Sequence, residues 1–207
     1  MNLALRPRII AALLGLVAFL PASLIADMTP AAVKSFEKTR AEAEKGIAWA
    51  QSGLGTRYAL GLGVAKDEVA AVRWYRKAAE QGDADAQVSL GRCYANGEGV
   101  AKDEVEAVRW YRKAAEQGDD IAQFHLAGCY YAGRGVAKVD VEAYAYWNLS
   151  GITYEPARKN LAFLENQISP ATRLLGQQRT KQLQKEIEGR LESTEEIRKA
   201  IEKERSK

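Results

Sequence analysis

One stretch of this chain is written twice. VAKDEVAAVRWYRKAAEQGD (Val64 to Asp83) returns 36 residues later as VAKDEVEAVRWYRKAAEQGD (Val100 to Asp119), changed only at Ala70 against Glu106. A fixed internal period constrains the fold more than the total of 207 residues does, because repeat arrays grow by stacking neighbours and not around one centre. The same offset brings Gly46, Gly82 and Gly118 into phase, and likewise Gln51, Gln87 and Gln123; Leu54, Leu90 and Leu126; Tyr58, Tyr94 and Tyr130; Gly63, Gly99 and Gly135. Three units follow, at 46–81, 82–117 and 118–153.

Each unit carries two apolar stripes of helical spacing. In the middle unit Ala86, Leu90 and Cys93 with Tyr94 mark a short helix A. The segment YANGEGVAKD then supplies two glycines, Gly97 and Gly99, that end it. Asp103 is a natural N-cap for helix B, whose stripe runs Val105, Ala107 or Val108, Tyr111, Ala114 and Ala115 until Gly118. Each unit is a helical hairpin, and one hairpin cannot bury its own stripe, so neighbours must stack.

The sequence LGRCYANGEGVAKDEVEAVRWYRKAAEQGD resembles a Sel1-like repeat, the tetratricopeptide relative with a longer loop between its helices. The resemblance covers 46 to 150 and implies an all-α, right-handed superhelical solenoid that serves as a binding surface or scaffold. The ends are expected to be sealed. Residues 27–45 hold a capping helix that starts at Thr29-Pro30 and stands where a preceding helix B would be. Residues 154–183 hold two more, and EAYAYWNLSG resembles the closing repeat of bacterial members of the family. Val139 stands where Asp67 and Asp103 cap the other B helices, leaving the third with a poorer cap unless Asp140 takes over. Residues 184–207 read as a charged helical tail, restarting at the Ser193 to Glu196 capping box, with too few heptads for a sustained coiled coil.

At the N-terminus, Arg6 and Arg8 precede the apolar run Ile9 to Leu20, then Pro21 and a stretch of small residues. That is the layout of a secretory signal over 1–26, with Ala26/Asp27 the best cleavage site. An uncleaved anchor from Ile9 to Ala26 is the competing reading. Either way the basic flank places the remainder outside the cytoplasm, in the periplasm or secreted. Of the 30 Lys and Arg, two precede the cleavage site and none of the 27 Asp and Glu does, so the mature chain has 28 against 27 and is near neutral.

Chemistry-bearing constellations are sparse. The one histidine, His125, leaves metal clusters and Ser/His/Asp triads without parts, and no cofactor or metal is implied. Cys93 and Cys129 share a slot in adjacent repeats, at a helix-packing distance of roughly 8–10 Å that exceeds disulfide reach. They read as free and buried. A cysteine-rich branch of the family, with two cysteines per repeat, is associated with penicillin binding, and this chain has one per repeat. Ser35 to Lys38 (SFEK) matches a serine-x-x-lysine pattern without its KTG or SDN partners. GLGVAK, GEGVAK and GRGVAK lack the ending of a phosphate loop. Lys66, Lys102 and Lys138 sit beside acids, which argues against a nucleic-acid ridge. Trp74, Trp110, Tyr75 and Tyr111 read as hairpin core.

The letters that vary lie on helix A. Projection at i, i+3, i+4 and i+7 groups Trp49, Ser52, Gly53 and Thr56; Asp85, Val88, Ser89 and Arg92; Ile121, Phe124, His125 and Gly128. First helices of such solenoids line the concave surface, so this face is expected to bind a protein or peptide. Trp49, Val88, Ile121 and Phe124 would anchor the partner, while Asp85, Arg92 and His125 set register, in a non-enzymatic scaffold of the cell envelope. A β-lactam- or peptidoglycan-acting enzyme and a membrane-tethered scaffold are the alternatives. The near-identity of the first two B helices also fits a recent duplication, which carries no information about helix A.

Overall fold

The computed structural model describes residues 29–205, so the expected signal or anchor over 1–26 lies outside the described residues. Helices alone make up its regular structure. In chain order they are α1 (Pro30–Glu44), α2 (Ala48–Leu60), α3 (Glu68–Glu80), α4 (Ala84–Asn96), α5 (Glu104–Ala115), α6 (Asp120–Ala132), α7 (Asp140–Ser150), α8 (Glu155–Glu165) and α9 (Pro170–Arg205). The pairs α2/α3, α4/α5 and α6/α7 are the hairpins, and each second helix also packs on the first helix of the next unit. No described helix is long and apolar enough to cross a membrane.

The expected caps govern where the helices start. Asp67 accepts from the Ala70 N–H at 2.8 Å, and Asp103 accepts from both Val105 and Glu106 at 3.0 Å. Asp83 and Asp119 do the same for α4 and α6. Val139 has the same extended backbone as Asp67 and Asp103 but offers no side-chain cap. Asp140 does not take over, because it is the first residue of α7 and faces Lys138 at 3.6 Å.

Between hairpins the core is written in phase. Leu54, Leu90 and Leu126 are fully buried in one slot. Within each hairpin, Gly55 and Gly91 sit beneath the rings of Tyr75 and Tyr111, where an added Cβ would come within 2.6 to 2.7 Å of the ring. Burying aromatic rings of this size contributes much of the apolar driving force. The in-phase glutamines carry the polar side of the seam between one unit and the next. Gln51 and Gln87 donate to the Ala43 and Ala79 carbonyls of the preceding second helix, at 3.2 and 3.1 Å. They accept from Gln81 and Gln117 at 2.7 and 2.8 Å. These amides are buried and satisfied, which avoids the cost of an orphaned polar group.

Helix α1 stands where the second helix of a preceding unit would be. Thr29 caps it, Pro30 opens it, and Phe36 packs edge-on against Tyr58 with centroids 5.5 Å apart. Its Ala43 takes the Gln51 amide as Ala79 takes Gln87, and the second loop glycine, Gly63, meets its first turn as Gly99 meets α3.

The C-terminal end differs from expectation. Helix α7 is buried nearly all round, at Ala143 through Trp147 and at Leu149 and Ser150, because α6, α8 and α9 all lie on it. Its Tyr144 ring fits against Gly176 of α9, and Arg179 binds Glu142 at 2.8 Å. Capping helix and charged tail are one unbroken helix, with no restart at Ser193. Leu183 is buried and Ile187 packs beside it, whereas Leu191, Ile197 and Ile201 face solvent. Arg190 pairs with Glu116, tying the tail back to the second repeat.

Candidate partner-binding face

A first helix held between its own second helix and that of the preceding repeat has only a narrow strip left for solvent. The four-residue projection from the sequence is wider than that strip, and the structure splits it. Trp49 is 62% exposed, Ile121 is 41% exposed, and Asp85 and Arg92 are also open. These four are the accessible members. Ser52 is buried, contrary to its place in the expected face. Thr56 accepts from the Tyr75 hydroxyl at 3.2 Å inside its own hairpin, and Ser89 of the next repeat comes near that hydroxyl, so both are turned toward the packed tyrosine. Val88 is half-buried against the core of the second and third repeats.

Phe124 and His125 are likewise spoken for. Phe124 meets Tyr154 edge-on at 5.2 Å, because the entry to α8 folds over it. His125 stacks on Tyr111 with centroids 4.9 Å apart and planes 15° apart. The sequence groups this slot, filled by Gly53 and Ser89 in the other units, with the expected partner-binding face. It is instead the point where a first helix meets the preceding tyrosine. Burial lowers the His125 pKa below its ordinary value, helped by the nearby Arg92 and Arg134 charges.

Along the loop edge each seam opens into a cleft. The one between repeats 1 and 2 has a volume of about 320 Å³ and is lined by Glu68, Tyr75, Cys93 and Glu98, with Arg92. Its counterpart between repeats 2 and 3, about 210 Å³, holds Glu104, Tyr111, Cys129 and Arg134 in the equivalent positions, with Arg92 and His125. The residue between the two loop glycines, Leu62, Glu98 or Arg134, therefore tunes the charge of the cleft. The sequence displays that variation in GLG, GEG and GRG, but the triplets alone do not show that their middle residue walls a cleft.

Residues 50–83, 84–119 and 120–151 each match the Sel1 repeat family. The chain is a Sel1-repeat protein. It is similar to a protective antigen of uropathogenic Escherichia coli displaying an SLR fold, at 34% identity and a TM-score of 0.70, over 73% of this chain and 33% of that one. It is also similar to a Sel1 repeat protein from Oxalobacter formigenes, at 35% identity and a TM-score of 0.57, over 63% of this chain and 56% of the other. The chain thus spans a third of the first relative and just over half of the second. No curated protein matched. The fold is the all-α, right-handed solenoid of three repeats with helical caps at both ends.

In this Sel1 array the remaining motifs have structural occupations. Ser35 accepts from Arg57 at 2.7 Å on the exposed side of α1. Cys93 and Cys129 are buried and unpaired with each other, and burial pushes the Cys93 thiol up to about 11, far from a thiolate at neutral pH. Lys66, Lys102 and Lys138 pair with Glu68, Glu104 and Asp140 at 2.7, 2.9 and 3.6 Å, so the loop edge is not a ridge of unpaired cations. Tyr75, Tyr111 and Trp110 are core, and Trp74 is half-buried beneath Lys77.

Proposed function

We propose that this Sel1-repeat protein is a non-enzymatic interaction scaffold of the cell envelope, holding a partner protein or peptide along the exposed strip of its first helices. The observation that carries the reading is the exposure of Trp49 and Ile121, equivalent positions in repeats 1 and 3, on a frame whose in-phase leucines Leu54, Leu90 and Leu126 are buried. Large apolar side chains with polar surroundings are the usual anchors of recognition, and Asp85 and Arg92 supply the flanking charges. Export rests on the basic and apolar pattern of the N-terminal stretch, and the relative that is a protective antigen fits an exported protein.

Crosslinking in the exporting cell, followed by identification of the captured protein, tests this. Trp49→Ala with Ile121→Ala should lower capture while helical CD and Tm stay nearly unchanged. Equal capture by the double variant refutes the strip as the contact. Intact mass of the exported protein separates a cleaved signal from a membrane-tethered scaffold.

A further inference from the structure

We propose that the cleft between repeats 2 and 3 receives a carboxylate from an acidic segment of the partner, held between Arg92 and Arg134 over the stacked rings of Tyr111 and His125. This rests on the scaffold reading and specifies the chemistry of what is bound.

Arg92 and Arg134 reach this cleft from different repeats, and both are exposed. Neither guanidinium forms an ion pair or hydrogen bond with another described residue. Elsewhere in the chain Arg40, Arg109, Arg179, Arg190 and Arg198 all hold carboxylates. Both lie near enough to His125 to disfavour its protonation. The one acid of the lining, Glu104, is engaged by Lys102 at 2.9 Å. Tyr111 and Cys129 are held in their neutral forms by burial. The cleft therefore gathers two like charges and no free counter-charge, a state that an incoming anion relieves.

Shape narrows the anion. Gly128 has no side chain, and an Arg134 terminal nitrogen lies 3.9 Å from where its Cβ would be, so the guanidinium can lie along α6. Ala95 and Ala107 give the cleft an apolar wall. A volume of about 210 Å³ suits one side chain and not a folded surface. A guanidinium fork matches a carboxylate with two parallel hydrogen bonds. Glu104 on the rim weighs against a doubly charged phosphate. The equivalent cleft between repeats 1 and 2 carries Glu98 in the place of Arg134, so the preference is confined to one seam.

His125 is the only histidine in the chain, so its imidazole resonances report this cleft alone. The test titrates the full, untagged chain at low salt with a short blocked peptide of alternating Leu and Glu, using a Leu and Gln peptide as control. The acidic peptide should move the His125 Cε1–H resonance and raise its titration midpoint, because a bound carboxylate favours the imidazolium. The Gln peptide should do neither. Arg92→Gln with Arg134→Gln should weaken the acidic peptide about tenfold or more, and Arg134→Glu, which restores the residue of the other seam, should do the same with the fold intact by CD. Absence of binding, binding that leaves His125 unmoved, or undiminished binding by the double variant overturns the inference. If the crosslinked partner is still captured normally by that double variant, only the carboxylate assignment falls. If no partner is captured by the unaltered protein, the scaffold reading falls as well.

Discussion

Gly99 lies so close to the first turn of the preceding second helix that a Cβ built on it would stand 2.1 Å from the Glu68 carbonyl oxygen. Gly135 repeats the contact on Glu104 at 2.0 Å. The first glycine of the loop, Gly97, shares the left-handed backbone at φ +78° but has nothing nearer than the Lys102 Cβ at 3.4 Å. Gly97→Ala should therefore cost only the left-handed strain, about 1–2 kcal/mol. Gly99→Ala should cost more, because the repeats must also part. Denaturant unfolding of the two variants measures the difference, and equal losses would mean that the seam is looser than described.

The His125 stack makes stability respond to pH. The folded imidazole has a lowered pKa, while the unfolded chain takes up its proton near the ordinary 6.5. The unfolded state thus binds more protons between those two values, and stability rises with pH there. The contribution is complete above about 6.5 and is lost as pH falls from there toward the folded value. Replacing His125 with Phe keeps a ring on Tyr111 and removes the titration. The drop in unfolding free energy from pH 7.5 to 5.5 should be smaller in that variant, and an unchanged drop would count against the buried stack.

Val139 offers a stabilising substitution. Its backbone, φ −142° and ψ 99°, matches that of Asp103 at −147° and 100°. Val139→Asp should add the missing cap to α7 and raise stability by about 0.5–2 kcal/mol. Chemical denaturation decides it. A lower midpoint would show that the Asp140 and Glu142 charges nearby outweigh the cap.

The long C-terminal helix should divide into a structural half and a dispensable one. Leu183 is 4% exposed, so Leu183→Ala should cost about 2–5 kcal/mol. Ending the chain after Arg190 removes Leu191, Ile197 and Ile201, which are already in solvent, and should leave Tm nearly unchanged while helical CD falls. A large loss of Tm on truncation would place the outer half in a contact.

The architecture could be read from the sequence because every repeated letter has a local cause. Asp67 and Asp103 cap, Leu90 and Leu126 fill one slot, and the loop glycines turn the chain. The accessible face was harder to read. Periodicity on a single helix locates a stripe but not which neighbour takes each half of it, and so the stripe includes Ser52, which is buried, Val88 and His125, packed between repeats, and Phe124 beneath Tyr154. Val139 was legible as a weak cap, whereas the unbroken passage through Ser193 was not, because a capping box matters only where the chain is free to stop. The role of Arg134 stood in plain view between two glycines, but only the stacking of the third loop onto the second hairpin turns that letter into the wall of a cleft.

The in-register α1 has an architectural consequence. Since it offers Gly63 and Gln51 the same reception that α3 offers Gly99 and Gln87, a whole hairpin could be added or deleted behind it without either terminus having to be rewritten. The array behaves as a ruler whose length is set by duplication, and each added mark brings one more seam whose loop letter is free to choose its charge.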